Sequence, residues 1–269
     1  MSNSFFDKYE VYDLSMVLRH DMTVFPAVVE PVHIQRNTRA GSHGNNSDHI
    51  SMSAHSGTHL DGPTHWNCGF HDGRKTLIND IPLINIIGDG VIVDISSQVS
   101  DYDIYGKEEI LASGADIRKG DIVIINTGWH QYQQGAQNED EIRYFYKSPG
   151  PKPEFAQWCL EMEFKLLGTD TCTQDHPMNT KLAGVPAANG FDYVTREFCQ
   201  KYGLKSVNEM FPREDIYPMH WLFKHGLLHI ENVGGEIDKV KNKRCVIACI
   251  PLNIAAESSP VRLLALVEK

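Results

Sequence analysis

No apolar run in this 269-residue chain approaches the length of a membrane span. Positive charge is in deficit: 25 Lys and Arg against 35 Asp and Glu leave a formal net charge of −10. That balance argues against nucleic acid or an anionic membrane as a partner. A small anionic substrate is not excluded, because a bound metal would dominate the local field. The six cysteines (Cys68, Cys159, Cys172, Cys199, Cys245 and Cys249) form no CxxC pair and no regular framework. With no signal peptide visible at Met1–Ser4, a reducing cytoplasm is the expected compartment. Cys172 has no adjacent activating base and reads as a small buried residue. Repeats and low-complexity tracts are also missing. What remains is ordinary for a globular protein, 41 % hydrophobic and 22 % charged, and long enough to bury a substantial core. We read residues 1–269 as one domain.

Strand-like and helix-like segments alternate. Gly90–Ile95 and Asp121–Thr127 are short β-branched runs of buried-strand type. Lys107–Gly114 between them reads as a short helix stopped by glycine. Residues 131 to 153 are polar and read as a surface excursion. Pro153–Met162 is a helix candidate leading into a strand and loop at Lys165–Asp170, a position where catalytic loops are common. Phe191–Gly203 looks helical with a glycine stop. Cys245–Leu252 and Arg262–Val267 are apolar strand candidates. The alternation predicts an α/β fold.

The densest chemistry lies in Ala54–His65, which holds His55, His59, Asp61 and His65. Imidazole and carboxylate together suit a borderline divalent ion such as zinc or manganese. All four are odd-numbered and would share one face of a strand. A straight strand would separate His55 from His65 by roughly 33 Å, too far for one ion. The chain must therefore bend, and Gly57 and Gly62-Pro63 are where it can. A helix would also pair His55 with His59, but Gly57 and Pro63 disfavour one. A short strand, a bend and a loop is the expected geometry.

His55-x-Gly57-Thr58-His59-x-Asp61-x-Pro63-x-His65 resembles the H-x-G-T-H-x-D-x-P-x-H signature of the cyclase family, which includes bacterial kynurenine formamidases and isatin hydrolases. The resemblance runs along most of the chain. Asp13-Leu14-Ser15 and Phe25-Pro26 are similar to elements near the family's start. Gly168–Asp175 is similar to its central G-x-D-x-x-S-x-D loop, with Thr173 in the Ser position. His229–Val233 is similar to its late E-N-L element, and Ser259-Pro260-Val261-Arg262 to its closing S-P-V-R. The resemblance implies a swivelling β/β/α-type fold, with a central mixed sheet closing toward a barrel and helices around it. It also implies a homodimer or homotetramer.

Carried over residue by residue, the resemblance implies that His55, His59 and Asp61 are metal ligands, with one or two ions per chain, and that His65 is the catalytic acid/base. Glu231 is the late ligand candidate, since Leu227–Ile230 before it reads as a buried strand and buried carboxylates need partners. Three histidines could join it. His229 shares a strand face with Glu231 at i and i+2, His225 lies nearby, and His220 best matches the family's spacing. Asn208–Asp215, ahead of His220, looks like an insertion. Phe25 looks like the counterpart of the tryptophan that packs on the aromatic substrate of kynurenine formamidases. Asp170, Asp175 and His176 are candidates for orienting metal-bound histidines.

These residues point to a metal-dependent hydrolase that cleaves a C–N bond in a formamide, aryl amide or lactam, with a metal-activated water and His65 moving protons. A cyclase or dehydratase acting on a polyketide-like or lactone substrate would use the same ion to stabilise an enolate. A metal-binding protein without activity would need a coordinatively closed site.

Overall fold

The β-branched runs build the middle of a closed sheet. The computed structural model describes residues 4–22, 24–26, 30–66 and 75–269; Cys68 and Met1–Asn3, named above, lie outside the described residues. The strands are β1 Tyr9–Asp13, β2 His33–Thr38, β3 Ser47–Ser51, β4 His59–Asp61, β5 Ile87–Asp94, β6 Ile104–Tyr105, β7 Ile122–Asn126, β8 Gly150–Pro151, β9 Leu166–Thr169, β10 Leu228–Glu231, β11 Arg244–Pro251 and β12 Ser258–Glu268. Their main order is β12-β11-β5-β7-β9-β10-β4, and β4 pairs back onto Ser258–Pro260 of β12. The ring closes at that point. Neighbours among β5, β7, β9 and β10 pair in parallel, and the remaining ring pairings are antiparallel. Strand β1 adds to the far end of β12. The result is the α/β fold with a mixed, barrel-like sheet and flanking helices that the sequence and its resemblance predicted.

Strand alternation sorts the apolar residues. Leu60, Ile92, Ile124, Leu166, Ile230, Ile247 and Leu263, one from each ring strand, belong to one buried cluster. A cluster fed by every strand of a closed ring fills its interior. Their neighbours Val91, Val93, Val123, Ile125 and Leu167 face outward against Phe155 and Trp158 of the helix Phe155–Glu161. Burial on both faces explains why these strands read as unbroken apolar runs. Each such fully buried aliphatic side chain contributes about 1.5–3 kcal/mol. Gly168 sits where a Cβ would lie 2.4 Å from Ile124 Cδ1, so the interior is full at that point.

Residues 131–153 depart from the expected surface excursion. They contain the helix Glu141–Tyr146, with Tyr144, Phe145 and Tyr146 buried. Three consecutive aromatics outweigh their polar flanks, because each removes a large apolar area from water. They join Trp129, Phe198 and Phe211 in a third cluster, outside the ring. None of the helices is long and apolar enough to cross a membrane among the described residues.

Candidate metal centre

The centre forms where the ring closes. On β4, Leu60 points into the barrel, so His59 and Asp61 point outward. On β10, Leu228 and Ile230 point inward, so His229 and Glu231 point outward. The antiparallel register sets Glu231 opposite His59 and His229 opposite Asp61. Period-two alternation on two adjacent strands thus gathers four polar side chains on one face. His55 and His65 reach the same place by bends. Gly57 has φ +63°, and a Cβ there would meet Leu18 Cδ2 at 2.5 Å, so the bend requires glycine. Beyond Gly62 the chain enters the 3-10 turn Pro63–Trp66, which carries His65. The expected strand, bend and loop is the observed geometry, with strand at His59–Asp61 only.

Hydrogen bonds fix which imidazole nitrogens face the centre. His59 Nδ1 is 2.8 Å from the Gly57 carbonyl oxygen, which can only accept, so the proton sits on Nδ1 and Nε2 is free. That Nε2 lies 3.3 Å from Asp61 Oδ1 and 3.7 Å from Glu231 Oε2. His55 Nδ1 lies 3.0 Å from the same Asp61 oxygen. One donor atom each from His55, His59 and Asp61 falls within a mutual 4.8 Å. A tetrahedral ion with bonds of about 2.1 Å would space its ligands by roughly 3.4 Å, so this trio fits a divalent cation. His220 donates from Nδ1 to Asp175 Oδ2 at 2.7 Å, and Asp175 Oδ1 also accepts the Met219 N–H at 2.8 Å. Its Nε2 is left for the cavity.

The electrostatics call for positive charge. Burial opposes protonation of His55, but its hydrogen bonds to Asp61 and Glu257 outweigh that and raise its pKa from 6.5 to about 10. Burial likewise opposes ionisation of Asp61, yet the neighbouring His59 and His55 hold it well below the usual carboxylate range. Glu231 goes the other way: burial, then the charge of Asp61, push it well above 4.5. Among the described residues no Lys or Arg pairs with either carboxylate; their ion-pair partners are histidines. Without a metal the site meets its need for cations with protons, and a divalent ion would meet it better.

A cavity of about 280 Å³ opens over these groups. His55, His59, Asp61, His65, His220, Glu231 and Phe25 all line it, together with Trp66, Tyr132, Tyr144, Phe145 and Tyr217. The three late histidines separate: His220 is in the wall, His225 is on the surface against Trp221, and His229 is fully buried beside Phe223 with neither ring nitrogen hydrogen-bonded. The Trp66 ring packs against the His220 ring, tilted by 49° with centroids 4.6 Å apart. The Asn208–Asp215 stretch holds this wall, because Arg213 donates to the Thr180 and Met178 carbonyls while Tyr217 N–H bonds Asn179 O.

Of the three candidate orienting residues, only Asp175 touches a cavity histidine. Asp170 accepts from Thr127 and His130, which tie the β7 loop. His176 packs between Phe198 and Phe211, and burial lowers its pKa to about 4. Glu257 escaped sequence reasoning altogether. Its carboxylate reaches His55 Nε2 at 3.1 Å and His65 Nδ1 at 3.0 Å. Its only sequence signal is its place two residues before Ser259-Pro260-Val261-Arg262.

Ring and centre together define an α/β barrel-like protein with an imidazole–carboxylate cluster at one wall of an aromatic pocket. Residues 12–176, more than half of the chain, match the family Cyclase, described as "Putative cyclase", and the chain belongs to that family. It is 25 % identical over 253 residues to kynurenine formamidase of Bacillus mycoides (strain KBAB4), covering 93 % of this chain and 94 % of that one. Its fold is similar to isatin hydrolase A from Labrenzia aggregata bound to benzyl benzoate, with TM-score 0.74, 21 % identity, and 97 % and 94 % of the two chains covered. A structure described as a "Potential Metal-Dependent Hydrolase With Cyclase Activity" aligns with TM-score 0.62 and 19 % identity over 97 % of this chain and 99 % of that one.

Proposed function

We propose that this protein is a metal-dependent hydrolase that cleaves the C–N bond of a formamide, aryl amide or lactam. The observation that carries the reading is the placement of a cation-demanding cluster and a flanking imidazole in one wall of an aromatic cavity. His55, His59 and Asp61 would hold one zinc or manganese ion; Asp61, Glu231 and His220 would hold a second. A divalent ion supplies Lewis acidity to a substrate carbonyl and acidifies water.

The remaining work falls to the chain. A cavity of this volume admits one or two fused rings. Phe25 and the facing aromatics bind the ring system and exclude water. His65 Nδ1 is engaged by Glu257, so Nε2 is the nitrogen available to substrate. Neutral at Nε2, it accepts a proton from the attacking water and delivers it to the leaving nitrogen, so that water adds across the C–N bond.

His65→Ala tests this role. Turnover of an aryl formamide should fall about 10²–10⁴-fold, the range for losing a general acid/base, while metal content by elemental mass spectrometry stays unchanged. Full retained activity refutes the assignment. Reaction in ¹⁸O-labelled water should place label in the acid product. Turnover without label would replace hydrolysis with cyclisation or dehydration.

A further inference from the structure

We propose that Glu257 is a positioning residue that sets the tautomers of His55 and His65 at once. The inference rests on the reading of His55 as a metal ligand and His65 as the acid/base. The Glu257 Oε1 atom is 3.1 Å from His55 Nε2, and Oε2 is 3.0 Å from His65 Nδ1. An ionised carboxylate only accepts, so each imidazole must present its N–H to it. A neutral imidazole has one N–H. When His55 gives up its second proton, as an imidazole ligand must, its remaining N–H faces Glu257 and its lone pair is on Nδ1, the atom 3.0 Å from Asp61 Oδ1 and in the three-donor cluster. The lone pair of His65 is on Nε2, the nitrogen left for substrate. One side chain thus selects the metal-binding form of one histidine and the proton-accepting form of another.

The backbone around Glu257 is suited to this. Its carbonyl accepts the Gly62 N–H at 2.9 Å, and the next residue, Ser258, pairs with Asp61 across β12 and β4. The Ser258 hydroxyl reaches both the Glu257 carboxylate and, at 3.0 Å, Asp61 Oδ1. Glu257 is consequently placed by the same strand pairing that closes the ring. Glutamine has the same shape but a different proton pattern. It can accept from one imidazole only, and its NH₂ would meet the N–H of the other. Glu257→Gln must therefore turn one of the two tautomers, which no steric argument predicts.

The test uses the full chain loaded with zinc, in wild-type, Glu257→Gln and Glu257→Ala forms. Long-range ¹H–¹⁵N spectra of histidine-labelled protein read the tautomers, with His65→Ala and His55→Ala giving the assignments. His65 should be protonated at Nδ1 in the wild type and shift toward Nε2 in at least one of the Glu257 variants. Zinc affinity, measured by chelator competition, should weaken about 10-fold, and kcat on an aryl formamide should fall about 10–100-fold, as for other groups that orient ligands, with KM within about 2-fold. At saturating zinc, adding Glu257→Gln to His65→Ala should cost little further kcat, because the part of the effect seen in kcat runs through His65 while the part through His55 is read in zinc affinity.

Unchanged tautomers in both variants would overturn the proposal, as would loss of a whole metal equivalent, which would make Glu257 a ligand. The spectra do not depend on turnover. A protein that shows the tautomer shift but no activity on amides would leave the positioning standing and reject the hydrolase reading.

Discussion

Leu60 and Ile230 alternate along the same two strands with His59, Asp61 and Glu231, and all five are shielded from water. The first pair faces the ring interior and the other three face the seam. One residue of pleat separates an aliphatic interior from a wall of titratable groups. The interior stabilises the fold outright. The seam does the reverse: buried carboxylates without a cation are costly. The aliphatic interior and the candidate metal centre thus occupy opposite faces of one sheet, so substitutions on the two faces should act with opposite signs.

Glu231→Gln should show the largest effect. We expect a loss of more than about 100-fold in kcat/KM, beyond the range of residues that merely orient ligands. The metal-free variant should melt no lower than the metal-free wild type. Glu231 carries a raised pKa, so above its ordinary 4.5 the unfolded chain releases a proton that the folded chain retains, and ionisation there works against folding. Gln removes that penalty and still accepts the Gln174 N–H, as Glu231 does at 2.9 Å. Differential scanning fluorimetry with and without chelator checks this. A metal-free variant that melts well below wild type would break the contrast.

Ile124→Ala is the mirror experiment. Ile124 is fully buried in the ring interior and has no part in the cavity wall. The substitution should cost about 2–5 kcal/mol by urea titration, while kcat of the folded protein stays near wild type. A matching fall in kcat would show that the two faces are mechanically coupled.

The pH dependence sharpens the contrast further. His55 has a folded pKa of about 10 against an ordinary 6.5, so its contribution to metal-free stability is complete below pH 6.5 and is lost as pH rises toward 10. Glu231 has a raised pKa, so its contribution also declines as pH rises above 4.5. A metal competes with those same protons. The gain in melting temperature from added manganese should therefore grow from pH 5.5 to pH 8.5. A gain independent of pH would mean that the ion binds elsewhere.

Much of this contrast was legible in the sequence where the signal is local. The odd-numbered spacing of His59 and Asp61 gives their shared face, Gly57 marks the bend, and the i, i+2 pair His229 and Glu231 follows from one apolar strand. Local signals did not reach the closure. The pairing of a three-residue β4 with the start of β12 joins segments nearly two hundred residues apart, and Glu257 meets His55 across a separation of 202 residues. Apart from its place two residues before Ser259-Pro260-Val261-Arg262, nothing near Glu257 distinguishes it from a solvated glutamate. His229 shares the seam face with Glu231, but its alternation alone could not say that Phe223 would cover it, at 4.4 Å between rings, and leave His220 in the cavity wall. Tyr144 and Phe145 were hidden by polar neighbours that solvate the helix's outer face.

Phe25 supplies the smallest predicted effect and the finest division of labour. It is half-buried in the cavity wall and packs against the aromatic cluster outside the ring, so it belongs to neither the interior nor the titratable seam. If its ring only binds the substrate's apolar part, it does so equally in ground and transition states, and uniform binding appears in KM alone. Phe25→Ala should raise KM for an aryl formamide several-fold, consistent with the roughly 0.5–1.5 kcal/mol of an aromatic pair, with kcat held within about 2-fold. Phe25→Trp, with a larger face, should restore or lower KM. A fall in kcat as large as the rise in KM would instead place Phe25 among the groups that align the reacting carbonyl, and the pocket would have to be counted with the seam.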